Sequence, residues 1–255
     1  MDLVTLLIVC PLVFLAGVVD SIAGGGGLIS LTAYLLAGVP AHVALGTNKF
    51  SSAIGTAVAT ARFIKEGFVK WRLALPAAAG ALAGSAVGAQ LAMLTPDSIF
   101  KWIMIGLLPV VAFAVLRKRD LESERRAVAL TPGKQLVIVA ASSLVIGCYD
   151  GFYGPGTGTF MMLAFTGAAM LSVQESAGQT KVANLASNVA GLVTFLVHGV
   201  VWLELGLVAA VFSIAGNYIG SGLVIKDGSK IVRPIVLVVL ALLFVKVAFD
   251  LATGA

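Results

Sequence analysis

The chain has 255 residues, 59% of them apolar and only 11% charged, with a mean hydropathy of +1.04. Soluble domains carry about 25% charged residues, so a water-soluble fold is excluded. The net charge of +5 comes from basic clusters that flank apolar runs, which is the pattern of bilayer orientation rather than of nucleic-acid binding. Cys10 and Cys148 both lie inside apolar runs, which argues against a disulfide framework or a zinc site.

The first segment, from Leu3 to about residue 22, has no Lys or Arg ahead of its apolar run and no cleavage pattern leading into a soluble sequence. It is expected to stay as a span rather than be removed as a signal peptide. A glycine run, Gly24 to Gly27, interrupts the chain just after Asp20, and the next segment, 28–38, has eleven residues. At 1.5 Å per residue it reaches about 16 Å, half of a roughly 30 Å hydrocarbon core. It is therefore a half-helix or a span borrowing its neighbours. Segments at 44–62, 72–93 and 99–116 complete a first set of five.

The second half repeats the first at an offset of 130 to 132 residues. Gly17-Val18-Val19-Asp20 falls on Gly147-Cys148-Tyr149-Asp150, and Gly24 and Gly26 fall on Gly154 and Gly156. Lys49 meets Lys181, Phe63–Val69 meets Phe195–Val201, the Gly84/Gly88 pair meets Gly216/Gly220, and Lys101 meets Arg233. The loop holding Arg62, Lys65, Lys70 and Arg72 has a counterpart, Val197–Leu205, with no Lys or Arg. By the positive-inside rule the two loops face opposite sides. The basic residues Arg117, Lys118, Arg119, Arg125, Arg126 and Lys134, and later Lys226, Lys230 and Arg233, fit if each half crosses an odd number of times. Five crossings per half, or three plus a re-entrant hairpin, both satisfy that count.

The expected fold is thus an all-α integral membrane protein, a single transmembrane domain over 1–255. It holds two inverted-topology repeats of about five hydrophobic segments each, 1–120 and 134–255, joined by a cytoplasmic link at 117–134. Gly-rich broken or re-entrant helices are expected near the midplane. Inverted repeats with interrupted helices are the architecture of many secondary transporters, with sites at the repeat interface.

A half-helix starting after Gly24, Gly25, Gly26 and Gly27 would aim its N-terminus, with free N–H groups and positive dipole, at the midplane, where an anion fits. The second copy repeats the device at Gly154, Pro155, Gly156, Thr157, Gly158 and Thr159. The alternative for these glycines is close helix packing, which is the reading taken for Gly84, Gly88, Gly216 and Gly220. On the third segment Lys181, Asn184, Asn188 and Gly191 share one helical face. Lys49, Ser52, Thr56 and Ala59 share it in the first copy, with Asn48 and Ser51 beside them. An intramembrane lysine is costly, so two at equivalent positions are candidate anion ligands, and snorkelling to the headgroups is the bland alternative for Lys49. Asp20 and Asp150 are countercharges of those lysines, proton carriers, cation ligands, or anchors for loose turn N–H groups. His42 and His198 read as interfacial residues at segment ends.

The glycine break after an aspartate, the stretches Leu45–Thr56 and Gly178–Phe195, and the duplicated layout closely resemble the sulfite exporter TauE/SafE family, also called the probable membrane transporter family. The resemblance runs from about Leu3 to Leu251. It implies a multi-pass protein of the bacterial or archaeal inner membrane that moves sulfite, sulfoacetate or related organic anions, often outward. It also carries over the glycine-rich turns and the Asn48-Lys49 and Thr180-Lys181 positions as site elements. The second turn departs from a pure glycine run, so the two halves of the site are not equivalent.

The expected activity is secondary transport of a small anion by alternating access, with an anion channel or a carrier of another small solute as alternatives. Beyond the substrate and the lipid bilayer no partner is implied, and a homodimer is left open. The spans contain no His/Glu/Asp metal cluster, Gly-x-Ser-x-Gly elbow or haem-type histidine pair, so neither enzymatic activity, metal nor cofactor is expected.

Overall fold

In hydrocarbon every backbone N–H and C=O must bond within its own segment, so a chain this apolar is driven to helix. The computed structural model describes residues 2–96, 130–228, 230–232, 234, 235 and 238, and among these none is in a strand. The helices are α1 (Leu3–Ala23), α2 (Gly26–Leu36), α3 (Ala41–Lys65), α4 (Trp71–Leu94), α5 (Pro132–Phe152), α6 (Thr157–Leu163), α7 (Val173–Val197) and α8 (Leu203–Asp227). Five of them, α1, α4, α5, α7 and α8, are long and apolar enough to cross a membrane. α3 has 25 residues, but its buried polar stripe keeps it from reading as a span by composition. The segment at 99–116, the basic cluster Arg117 to Arg126, Lys101 and Arg233 lie outside the described residues.

Local chemistry sets the helix ends. Asp2 caps α1 by accepting from the Thr5 N–H at 2.9 Å, and Ser172 with Glu175 forms a reciprocal capping box on α7. α1 stops at Gly24, whose φ of +73° suits a residue without a Cβ and whose N–H bonds Asp20 O at 2.8 Å. The expected start of the short helix after Gly27 is corrected here. α2 begins at Gly26, and only Gly24 of the run is left-handed. The second copy differs: α6 has seven residues and passes into a π-helical turn at Ala164–Ala168, where the first copy stays α-helical.

Small residues let the long helices touch backbone to backbone. α1 packs on α8 with Gly216 against Phe14 and Gly220 against Val18, and α4 packs on α5 with Gly84 against Leu144 and Gly88 against Cys148. These two contacts exchange places when the halves are swapped. Both pairs run parallel, as do α3 and α8, where Phe50 meets Gly206, Gly55 meets Ser213 and Arg62 reaches Ser221. α3 and α7 run antiparallel: Gly46 faces Phe195, whereas Thr60 bonds the Lys181 carbonyl at 3.2 Å and Phe68 packs on Gly178.

A Cβ at Gly84 would collide with Leu144 O and lie 2.7 Å from Cys148 N, whereas one at Gly133 meets nothing within 4 Å. Gly84→Ala is expected to cost about 1–3 kcal/mol through overpacking, and Gly133→Ala to stay within about 0.5 kcal/mol of the native chain. Unfolding in detergent, followed by helix content, checks both. Equal stability of the two variants would mean that the α4–α5 contact is looser than described.

Candidate functional site

The polar stripe of α3 and that of α7 face each other across the contact between the halves, and each lysine finds a carboxylate there. Lys49 Nζ donates to Asp150 Oδ2 at 2.5 Å and Lys181 Nζ to Asp20 Oδ2 at 2.6 Å. Both bridges therefore join opposite halves of the chain. The side chains are nearly inaccessible, 3% and 5% exposed in the first pair and 2% and 15% in the second. Neither lysine snorkels, so that alternative is set aside by the geometry. A buried ammonium must be paired and hydrogen-bonded to be tolerated. Lys49 accordingly also donates to Asn188 Oδ1 at 3.2 Å, and Asn188 donates on to Asn184 at 3.4 Å. Gly191 leaves room for the lysine stem, since a Cβ there would lie 3.3 Å from Lys49 Cε.

The two glycine tips meet directly. Gly24 and Gly158 touch so closely that a Cβ on either would overlap the other's Cα, and Thr159 Oγ1 donates to Ala23 O at 2.7 Å. Beside this contact lies a cavity of about 20 Å³, enough for one water-sized group. Its wall combines the tips (Gly24, Gly27, Gly154, Gly158 and Thr157) with Asp20, Asp150, Asn48, Lys49, Ser52, Asn184 and Asn188. The dipole of α2 directs its positive end toward this space.

Not every expected site residue lines the cavity. Gly25 caps α2, Gly26 packs on Ala16 O, and Gly156 supplies a left-handed φ of +82° at the start of α6. Thr159 ties the two tips together instead of facing the cavity, and the Thr157 hydroxyl is held by Gly154 O at 2.7 Å. Thr180 is buried away from the cavity, and its hydroxyl has no hydrogen-bond partner among the described residues. Lys181 reaches the site only through Asp20. Ser187, which sequence reasoning passed over, donates to Asp150. It adjoins Asn188 but lies off the i, i+3, i+7 stripe, so only the position of Asp150 reveals it.

Asp150→Asn strands the Lys49 ammonium in the interior and is expected to cost about 3–5 kcal/mol. Replacing both partners, Lys49→Met with Asp150→Leu, removes the buried charges together and is expected to be more stable than either single variant. A double-mutant cycle on unfolding in detergent measures this coupling. Additive single effects would show that the bridge is not formed in the folded protein.

Comparison with known proteins places this geometry in a family. A family model described as sulfite exporter TauE/SafE matches residues 9–247. The chain is 35% identical over 237 residues to the probable membrane transporter protein ORF9 of Sinorhizobium sp, covering 93% of this chain and 90% of that protein. It is 33% identical over 237 residues to a probable membrane transporter protein of Haemophilus influenzae, covering 93% and 92%. It is also 33% identical over 236 residues to the probable membrane transporter protein YfcA of Escherichia coli K12, covering 92% and 87%. No solved structure matches significantly. The shared length and the helices able to span a bilayer make this a multi-pass bacterial membrane protein, and the chain belongs to the sulfite exporter TauE/SafE family.

Proposed function

We propose that this protein is a secondary transporter of a small anion, of the sulfite or organosulfonate class, working by alternating access. The observation that carries the reading is the pair of buried lysines, each neutralised by an aspartate of the opposite half, beside touching glycine tips. An anion competes for a lysine with the aspartate that holds it, so binding exchanges one charge-assisted contact for another instead of burying a bare charge. Asn48, Ser52, Asn184, Asn188 and Thr157 offer further polar groups around the same space.

A cavity of about 20 Å³ is too tight for a four-atom oxyanion beside intact bridges. The antiparallel α3 and α7, and the α1–α8 and α4–α5 contacts that interchange between halves, support an inverted repeat whose halves rock about the central site. Because α1 and α3 both run with α8, α2 must return between them, and its eleven residues give a limb of about 16 Å. We read α2 as a half-length limb that turns back against α1, whose 21 residues reach about 31 Å. Without a coupling ion, an interior-negative potential drives a monoanion outward by about 2.3 kcal/mol per 100 mV; export is the direction we propose for the uncoupled carrier.

Labelled sulfite and a small organosulfonate are to be followed in proteoliposomes with the potential clamped. Native protein is expected to give saturable flux, and Lys49→Ala with Lys181→Ala to lower it at least tenfold while leaving the protein inserted. Unsaturable flux would sink the carrier reading. Undiminished flux in the double variant would remove the lysines from the site.

A further inference from the structure

A second cavity, also of about 20 Å³, lies behind the N-terminus of α2, between α1, α3 and α8. It shares Asp20, Gly27 and Ser52 with the central one. Its polar wall is made of oxygen-bearing side chains: Asp20, Ser30, Ser52, Thr56, Ser213 and Asn217. Most have some hydrogen bond: Ser30 donates to Gly26 O, Ser52 to Asn48, and Asn217 is held by Ser21 and Ser213. Thr56 does not. It is 1% exposed and lines the cavity, yet its hydroxyl has no hydrogen-bond partner among the described residues. A buried hydroxyl without a partner calls for an explanation, a water or an ion being one, and Thr56 has a cavity beside it to hold either.

The corresponding positions in the second half are built differently. Asn188, the counterpart of Thr56, is engaged with Lys49; Ser213 corresponds to Ala81 and Asn217 to Ser85, which donates to Ser187 O. Asp150 is held by both Lys49 and Ser187, whereas Asp20 has the Lys181 bridge and the side cavity.

From this asymmetry we propose that the cavity around Thr56 is a binding site for a sodium ion. The Asp20 carboxylate and the hydroxyls of Ser30, Ser52, Thr56 and Ser213 are oxygen donors that suit a hard cation, while the Asn217 Oδ1 is taken by Ser21. Asp20 sits in the last turn of α1, where the negative end of the helix dipole adds to the carboxylate. Broken helices supply cation sites of this kind in other transporter folds.

Charge balance gives the site a purpose, and this step rests on the anion reading above. Lys49 and Lys181 cancel Asp20 and Asp150, so the closed core is neutral and a bound monoanion leaves it one charge negative. Sodium beside Asp20 restores neutrality. Burying the anion is then cheaper with sodium bound, and by linkage sodium binds more tightly with the anion present. Movement of the doubly loaded core no longer feels the membrane potential, so an inward sodium gradient favours uptake, and the outward direction proposed above holds only for the carrier without sodium.

The full-length protein in detergent is to be unfolded by heat in sodium, potassium or choline chloride at equal ionic strength, with and without sulfite. A saturable rise in Tm specific to sodium is expected. Thr56→Val is expected to weaken apparent sodium affinity at least tenfold, and Thr56→Ser to retain it. Should Thr56→Val not fold, Thr56→Ala against Thr56→Ser makes the same comparison. A Tm indifferent to sodium, a response equal in potassium, a response fixed by pH alone, or a full sodium response in Thr56→Val and Thr56→Ala would each overturn the site. The two readings fail separately. Sodium-specific stabilisation with no flux of any tested anion keeps the cation site and removes the anion assignment. Saturable sulfite flux in a protein blind to sodium does the reverse.

Discussion

Two ammonium groups lie almost wholly buried, 3% and 2% exposed, and the fold is organised around their neutralisation. An isolated buried charge of this kind costs several kcal/mol, so the structure holds only if a carboxylate and further hydrogen bonds arrive at each one. Here the carboxylates come from α1 and α5 and the lysines from α3 and α7, with each bridge crossing from one half to the other. The halves are therefore joined by charge at their centre. Such bridges contribute little net stability compared with apolar packing. They do fix which helix faces meet.

That arrangement requires close approach. Backbone at the centre of the molecule has to turn sharply and touch, which Gly24 permits through its left-handed conformation and Gly158 through its missing side chain. Around the centre, the parallel α1–α8 and α4–α5 contacts rely on the same economy of volume. Without a hydrophobic driving force between helices in lipid, close packing and buried polar bonds hold them together. Arg62 adds a half-buried contact of α3 to α8: it stacks 4.2 Å from the Tyr218 ring and donates to Ser221. On the surface, the Lys70–Glu175 pair is 53% and 29% exposed and links the α3–α4 loop to α7; exposure limits it to about 0–1 kcal/mol.

The lysine–aspartate pairing occurs twice, at positions one repeat offset apart, but its two surroundings are unequal. The first half keeps a continuous α2 and a side cavity at Asp20, while the second has a seven-residue α6, a π-helical turn and an Asp150 held by two donors. Differences at equivalent positions are where selectivity and coupling have room to arise.

Membrane residence and helical class were legible in the sequence because they follow from local composition, and the two lysines stood out there because they recur at one offset. The glycine breaks were legible for the same reason, although their boundary was not: four identical residues do not say where the turn ends, and Gly26 belongs to α2. The pairing of charges was beyond reach. Asp20 and Asp150 are each chemically suitable for either lysine, and only the crossing of α3 and α7 brings Lys49 to Asp150 and Lys181 to Asp20. Thr159 and Thr180 looked as suitable for ligand contact as Thr157, yet tertiary packing turned one to Ala23 and buried the other away from the cavity. Composition and periodicity determine what a segment is and which face is polar, since both depend on residues a few positions apart. Which polar face meets which is a property of helices 100 or more residues apart in the chain, and that was decided by the tertiary structure alone.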